Sequence, residues 1–514
     1  MTSPTAAETP ASPPAGPPPS LARSAARGSI VTIVGQALRI GTQFASIALL
    51  ARLLDSVDYG YLAMVLSLIG IAELLRDFGL SAAAVQSREL SHAQQSNLFW
   101  LNTLIGAVAS LIVLGASPLI ALLYDEPALA TITAVLSPVF LVNGMTTQFR
   151  AHINRGLRFV ALSATDVVPQ LVAFAVAVTL GFTLRSYWAL VGQQLTIAVV
   201  GLVMAISLSR WWPSWPSRAA SLRTQIRFGS NLLGTNVMTY AVNNSQTVMM
   251  GAVWGAAIVG YFSRAYQLMV LPLTQIVAPL TKVALPILSQ VADDPKRYAR
   301  IVGRAQLLGL YLTAPLFLLC FSLSGPLIRI ALGPQWTSSA PIFGVLALGG
   351  AFRAMSQLAY WLFLSSGRTR TQMKFNAASY PVLVALMVAG LPWQGVGVAL
   401  GHTVGYALYW PVSLWVACRA AGIDVRPLAK KAAQVFGLVG GGVLLVSYGI
   451  ARLDLPDLAT VLLGGAAAAV YVVLTMVALP WGRRDRRILT EFAGHLRSGR
   501  RRPGRGAAAA GAQR

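Results

Sequence analysis

Between Gly28 and Trp481 the chain is an almost continuous series of apolar runs, separated by short charged or Pro/Gly-bearing breaks. About 20 mostly apolar residues in a helix cross a hydrocarbon layer of roughly 30 Å. Lipid offers the backbone no water to bond, so such runs point to a bundle of helices that satisfy their own amides and carbonyls. Only 11% of the side chains are charged and 55% are hydrophobic, whereas roughly a quarter of a soluble domain is charged. Water is therefore not the main solvent, and the expected fold class is an all-α polytopic membrane protein.

The runs and their punctuation predict about fourteen transmembrane helices, centred near residues 41, 70, 108, 139, 173, 198, 239, 272, 312, 352, 381, 406, 440 and 469. The charge-free stretch from Phe375 to Cys418 is too long for one crossing, and Gly390-Leu391-Pro392-Trp393 divides it with turn chemistry. The chain then reads as a disordered tail (1–27), an N-terminal six-helix lobe (28–212), a linker (213–225), a C-terminal six-helix lobe (226–420), two additional helices (421–482) and a basic tail (483–514). The first tail is rich in Pro, Ala and Ser and lacks the apolar core of a cleavable signal. In the last, Ile488, Leu489, Phe492 and Leu496 fall on one helical face, which predicts a short helix lying on anionic lipid.

Orientation follows from the 40 Lys and Arg residues, because basic residues concentrate in cytoplasmic loops. With fourteen spans, most of them fall on one side, including Arg150, Arg155 and Arg158 after the fourth span and the whole C-terminal tail. Only Arg52, Arg185, Arg329 and Arg452 fall on the other side. Both termini are thus expected in the cytoplasm, the inner leaflet's anionic lipid being a partner. The net charge of +24 is explained by this topology, so nucleic acid is not an expected partner. The Trp211-Trp212-Pro213-Ser214-Trp215-Pro216 cluster reads as an interfacial aromatic loop on the same side.

An internal repeat appears at an offset of 200 residues. Ala51 to Tyr61 aligns without gaps on Gly251 to Tyr261, matching Gly60-Tyr61 to Gly260-Tyr261. Both segments join the first and second helices of a six-span unit, which predicts two parallel lobes.

Charges inside the membrane point to a cavity, a partner or a function, since each costs roughly 2.5–3.5 kcal/mol at mid-bilayer on insertion scales. Arg39 and Arg353 sit near the middle of their spans; Arg76 and Lys282 lie near cytoplasmic ends, and Arg264 near an outer end. On the first span Gln36, Arg39, Gln43 and Ser46 form one polar stripe. On its repeat mate, the seventh, Asn236, Thr239, Asn243 and Thr247 do the same. Interhelical hydrogen bonding is the plain reading of the amides. For Arg39, whose span offers no acid, the sharper reading is a phosphate clamp, because a planar guanidinium binds phosphate oxygens bidentately. Candidate substrate-binding residues are therefore Arg39, Gln36, Gln43, Asn236, Asn243, Arg264 and Arg353. Glu73 and Asp77, spaced with Arg76 on one helix, read as an ion-pair cluster or as groups that couple an ion. Pro272, Pro279 and Pro286 recur every seven residues on the eighth span and predict a bend.

No phosphate-binding Gly-x-x-x-x-Gly-Lys-Ser/Thr loop, catalytic constellation or cysteine-based metal motif is present. No catalytic residue, cofactor or metal is expected, and transport is the better class than catalysis.

The chain resembles the polysaccharide exporters, or Wzx-type oligosaccharide flippases, of the multidrug/oligosaccharidyl-lipid/polysaccharide superfamily. The resemblance runs from about Gly28 to Arg419. It is carried by Ala51-Arg52-Leu53-Leu54 with Asp58-Tyr59-Gly60, Arg76-Asp77-Phe78-Gly79-Leu80-Ser81, Asn97-Leu98-Phe99-Trp100-Leu101-Asn102 and Arg155-Gly156-Leu157-Arg158-Phe159. Tyr187-Trp188-Ala189-Leu190-Val191, Gly260-Tyr261-Phe262-Ser263-Arg264-Ala265-Tyr266, Leu285-Pro286-Ile287-Leu288 and Leu332-Gly333-Pro334-Gln335-Trp336 extend it. It implies two lobes forming a V around a central cavity that Arg39 faces, in a bacterial inner membrane. It also implies alternating access for a polyprenyl-diphosphate-linked oligosaccharide, with a polysaccharide polymerase and glycosyltransferases as partners. A lipid II flippase, a multidrug or cation antiporter, and a polytopic glycosyltransferase or polymerase are the alternatives. The first span's base without a carboxylate argues against a cation antiporter. Missing large outer loops argue against a glycosyltransferase.

Overall fold

The computed structural model of the chain describes the backbone at residues 19–77, 91–156, 158–217 and 223–498; within these, the side chains of residues 19–33, 74–77, 223–236 and 492–498 lie outside the description. Eleven helical stretches are long and apolar enough to cross a membrane. Two of them, Val237–Gln290 and Thr369–Ala421, run to 54 and 53 residues, and each holds two crossings. The first breaks at Gly255, whose φ of 72° lies where L side chains rarely go. The second breaks at Leu391–Trp393, a single tight turn in the Gly-Leu-Pro-Trp segment. Together with the first helix, the described crossings number fourteen.

In chain order they are α1 (Pro19–Leu53), α2 (Ser56–Asp77), α3 (His92–Tyr124), α4 (Ala128–Arg155), α5 (Phe159–Leu184), α6 (Trp188–Ser209), α7 (223–254) and α8 (256–290). Then follow α9 (Pro295–Ser322), α10 (Ser339–Ser365), α11 (Thr369–Gly390), α12 (Gln394–Ala421), α13 (Val425–Ala451) and α14 (Asp457–Ala478), with a polar helix, α15 (Pro480–Ser498), at the end. α1 starts at Pro19, so residues 19–27, expected in the disordered tail, are helical; residues 1–18 lie outside the described ones. In α8 a wider five-residue turn, Leu273–Val277, follows Pro272. Proline lacks an N–H and clashes with the preceding turn, and the wider turn absorbs the mismatch.

The packing repeats between halves. In the first lobe α3 packs on α4, α5 on α6 and α4 on α6; in the second, α9 packs on α10, α11 on α12 and α10 on α12. α13 and α14 add to the second lobe through α9 and through a short helix, Ser324–Ala331, between α9 and α10. Two faces of the molecule can be distinguished. One, the basic side, carries Arg155, Arg158 and α15; the other, the far side, carries the α1–α2 turn and Ser324–Trp336.

On the basic side the segment after α6 is strapped to α3. Asn97 Nδ2 donates to the Ser217 carbonyl at 2.7 Å, the Ser217 amide donates to Asn97 Oδ1 at 2.8 Å, and the Ser214 amide donates to Ser96 Oγ at 3.0 Å. Trp212 and Trp215 are exposed, as an interfacial loop requires, but Trp211 is buried between Phe99, Phe149 and His152. α15 also departs from expectation. Ile488 and Leu489, partly buried, pack against a cluster that holds Val435 and Val439, beside Met476, so this half of the apolar stripe meets protein; the side chains of Phe492 and Leu496 lie outside the described ones. Its Asp485 is 1% exposed, accepts from Tyr311 Oη at 3.0 Å and is bridged by Lys431 Nζ at 3.0 Å.

Candidate functional site

A chamber of about 890 Å³ opens within the first lobe, lined by α1, α2, α4, α5 and α6 and covered by Arg264 and Gln267 of α8. Its polar wall begins with the α1 stripe. Arg39, Gln43 and Ser46 lie at steps of four and three residues, which puts them on one helical face, and all three line the chamber. Gln193 of α6 donates to Ser46 Oγ at 2.9 Å. Gln36, one turn nearer the basic side, is exposed and is not part of this lining.

Opposite α1 the chamber carries groups that the sequence reading did not assign to it. Arg150 of α4 is paired with Asp166 of α5 at 2.5 Å and donates to the Thr165 carbonyl at 3.3 Å. Glu73 of α2 faces Asn143 Nδ2, 3.5 Å from each carboxylate oxygen. Asp166 cancels Arg150, so Arg39 and Arg264 carry the positive character, against Glu73. The side chains of Arg76 and Asp77 lie outside the described ones. Asp166 is the one acid between Glu126 and Asp293, a signal that marks it as exceptional within the spans.

Toward the far side the chamber ends at Leu50 and Tyr59. The Arg264 guanidinium carbon lies 4.2 Å from the centre of the Tyr59 ring, a cation–π contact between the lobes. Beyond it the lobes interlock. A Cβ on Gly60 would lie 1.9 Å from the Ala256 carbonyl oxygen, and a Cβ on Gly260 would lie 1.8 Å from the Ser56 carbonyl oxygen. Residues 60 and 256 thus meet as residues 260 and 56 do, so the repeated Gly-Tyr pairs form one contact with a local twofold. Trp336, fully buried, donates through Nε1 to the Ala51 carbonyl at 2.7 Å and packs edge-on against Tyr59 and Tyr261. Gln335 donates to the same carbonyl at 2.8 Å, and Arg52 to that of Ile330 at 3.1 Å.

A second cavity of about 380 Å³ lies between the lobes and shares Gln43 and Gln267 with the chamber. Asn243 and Thr247 of α7 line it too, so Gln43 and Asn243, related by the 200-residue offset, face one space. Asn236 has its side chain outside the described ones. Arg353 is not in the chamber with Arg39. It lines a separate pocket of about 160 Å³ enclosed by α7, α10, α11 and α12.

Among the described residues, fourteen crossing helices in two lobes, the first holding a polar chamber and the two meeting at a second cavity, form a membrane-transporter fold. The chain belongs to the polysaccharide biosynthesis protein family, whose model matches residues 49–341, within the Wzx-type branch of the multidrug/oligosaccharidyl-lipid/polysaccharide superfamily. It is 26% identical over 393 residues to the lipopolysaccharide biosynthesis protein WzxC of Escherichia coli, covering 76% of this chain and 79% of that protein. It is 23% identical to the amylovoran biosynthesis protein AmsL of Erwinia amylovora, covering 72% of this chain and 96% of that one. The succinoglycan biosynthesis transport protein ExoT of Rhizobium meliloti is 24% identical, over 60% and 62% of the two chains. Among solved structures, the lipid II flippase MurJ in an inward closed conformation matches with a TM-score of 0.71 at 15% identity, covering 88% of this chain and 99% of that one. An inward-facing multidrug resistance MATE family transporter matches at 0.56 with 12% identity, over 78% and 99%. These two likenesses concern the fold.

Proposed function

We propose that the chain is a flippase that carries a polyprenyl-diphosphate-linked oligosaccharide, a surface polysaccharide precursor, across a bacterial inner membrane by alternating access. The observation that carries this reading is the polar chamber, lined out to Arg150 and Asn154 near the basic side and ending below an interlobe seal on the far side. The basic side is cytoplasmic by the distribution of Lys and Arg, so the headgroup enters from the cytoplasmic leaflet while the lipid tail stays in the bilayer. Arg39 takes a phosphate oxygen pair, and Gln43, Asn243 and Gln193 bond sugar hydroxyls. Glu73, which lines the same chamber, couples an ion in this reading. Opening of the seal and closing of the basic side then releases the headgroup outward to a polymerase, the glycosyltransferases acting beforehand. A lipid II flippase would use the same fold; relatives named for polysaccharide, teichuronic acid and succinoglycan biosynthesis favour polysaccharide.

Arg39→Ala, expressed at wild-type level, is expected to build up lipid-linked oligosaccharide in the cytoplasmic leaflet. Losing a charge-assisted contact of about 1.5–3 kcal/mol lowers export by roughly tenfold or more. Arg39→Lys keeps the charge without the fork and falls between. Wild-type export by Arg39→Ala overturns the clamp.

A further inference from the structure

α10 holds Arg353 near the middle of its crossing, and nothing in its own lobe can neutralise it. The sequence has no Asp or Glu from Val167 to Ala292, nor from Pro295 to Ile423, so every membrane-crossing segment of the second lobe lacks a carboxylate. The first lobe, by contrast, sets Glu73 and Asp166 against its arginines. The groups around Arg353 are neutral. Nη1 donates to Tyr266 Oη at 2.9 Å, Nη2 lies 3.5 Å from Asn243 Oδ1, and the guanidinium carbon is 5.5 Å from the Tyr406 ring centre. A 3.5 Å contact is a loose one, and a guanidinium has five donors to satisfy. A desolvated cation with only neutral partners calls for an anion.

The pocket that Arg353 lines indicates what kind of anion. Its volume is about 160 Å³, and Tyr380, Tyr406 and Tyr409 line it together with Gln372 and Asn376. Asn376 accepts from Tyr409 Oη at 2.9 Å, which fixes that ring. Tyrosine offers an apolar face and a polar edge, and the amides supply donors and acceptors for hydroxyls. This is the surface a single sugar ring requires. Asn243 borders both this pocket and the interlobe cavity, so the two lie side by side.

We propose that this pocket binds an acidic sugar, Arg353 holding its carboxylate and the tyrosines holding its ring. The proposal rests on the flippase reading and assigns its substrate class: an oligosaccharide bearing a uronic acid. One base suits one carboxylate better than a diphosphate, and aromatic and amide walls exceed what a simple inorganic anion needs.

The test is calorimetric titration of the full chain in lipid nanodiscs with glucuronate, glucose, the methyl ester of glucuronic acid, and chloride. Glucuronate is expected to bind saturably, with the ester and glucose weaker by about tenfold or more, and chloride unable to displace it at equal concentration. Arg353→Gln should abolish the preference and Arg353→Lys retain part of it. Equal binding of glucuronate and its ester, full displacement by chloride, or an unchanged preference in Arg353→Gln each overturns the proposal. If Arg353→Gln does not fold, the ester comparison decides on the wild-type chain. Absence of the preference in the wild-type chain, with the Arg39→Ala export defect intact, removes only the acidic-sugar assignment. Selective glucuronate binding with no build-up of lipid-linked oligosaccharide in the cytoplasmic leaflet when the chain is deleted removes the flippase reading and leaves the pocket.

Discussion

The reciprocal contact between α2 and α8 makes the seal testable with a single methyl group. Alanine at position 60 would put its Cβ 1.9 Å from a carbonyl oxygen, and alanine at position 260 would put it at 1.8 Å, so the two helices must separate by more than 1 Å before the contact is tolerable. Overpacking of this kind costs about 1–3 kcal/mol. The lower backbone entropy of alanine acts through the unfolded chain and is the same for both folded states, so it cancels. The penalty of about 1–3 kcal/mol falls on the sealed state alone, and at 1.4 kcal/mol per tenfold it enriches the opposite state by roughly 5- to 150-fold. The readout is a cysteine at Ser46, in the chamber wall, in a chain with Cys320 and Cys418 replaced by Ala. A membrane-impermeant maleimide is applied from either face. Gly60→Ala or Gly260→Ala should raise labelling from the far side, and the double variant should raise it by less than the product, because the two sites share one contact. Gly41→Ala, where a Cβ meets nothing within 4 Å, is the control. Unchanged far-side labelling in both single variants refutes the seal.

Other substitutions test the second lobe and the linker. Lys431→Ala leaves Asp485, 1% exposed, without its cation and is expected to cost about 3 kcal/mol or somewhat less, since Lys431 itself is partly exposed; Lys430→Ala, on the exposed side of the same turn, should be near neutral. Equal thermal stability of the two variants would contradict the buried pair. Asn97→Ala removes both bonds to Ser217 and should accelerate hydrogen exchange of the Ser217 amide, while the Ser214 amide, held by Ser96, changes less. Equal exchange in wild type and variant would show that the strap does not depend on Asn97.

The span count was legible because a crossing helix is a local requirement: each needs its own length of apolar residues, whatever its neighbours are. Even the break at Gly390–Trp393 could be read, since proline and glycine signal it. The repeat was legible as an alignment, and so was the polar face of α1, because helical periodicity alone puts Arg39, Gln43 and Ser46 together. α15 was legible as a helix with one apolar stripe. Its apolar stripe is in the sequence, but whether lipid or protein covers that stripe depends on Val435 and Met476 arriving from other helices.

Tertiary structure decided what faces what. Gly60 and Gly260 were matched as equivalents, yet nothing local shows that each meets the backbone beside the other. The same holds for Trp336, which closes the seal from 285 residues away on Ala51. Arg39 and Arg353 look alike along the chain, a base near the middle of a span. In space one shares a chamber with Glu73 and the Arg150–Asp166 pair, and the other stands among tyrosines in a lobe whose crossing helices carry no acid. Burial of a helix in lipid is written in its own residues, whereas the partner of a buried charge is set by which helices pack against it.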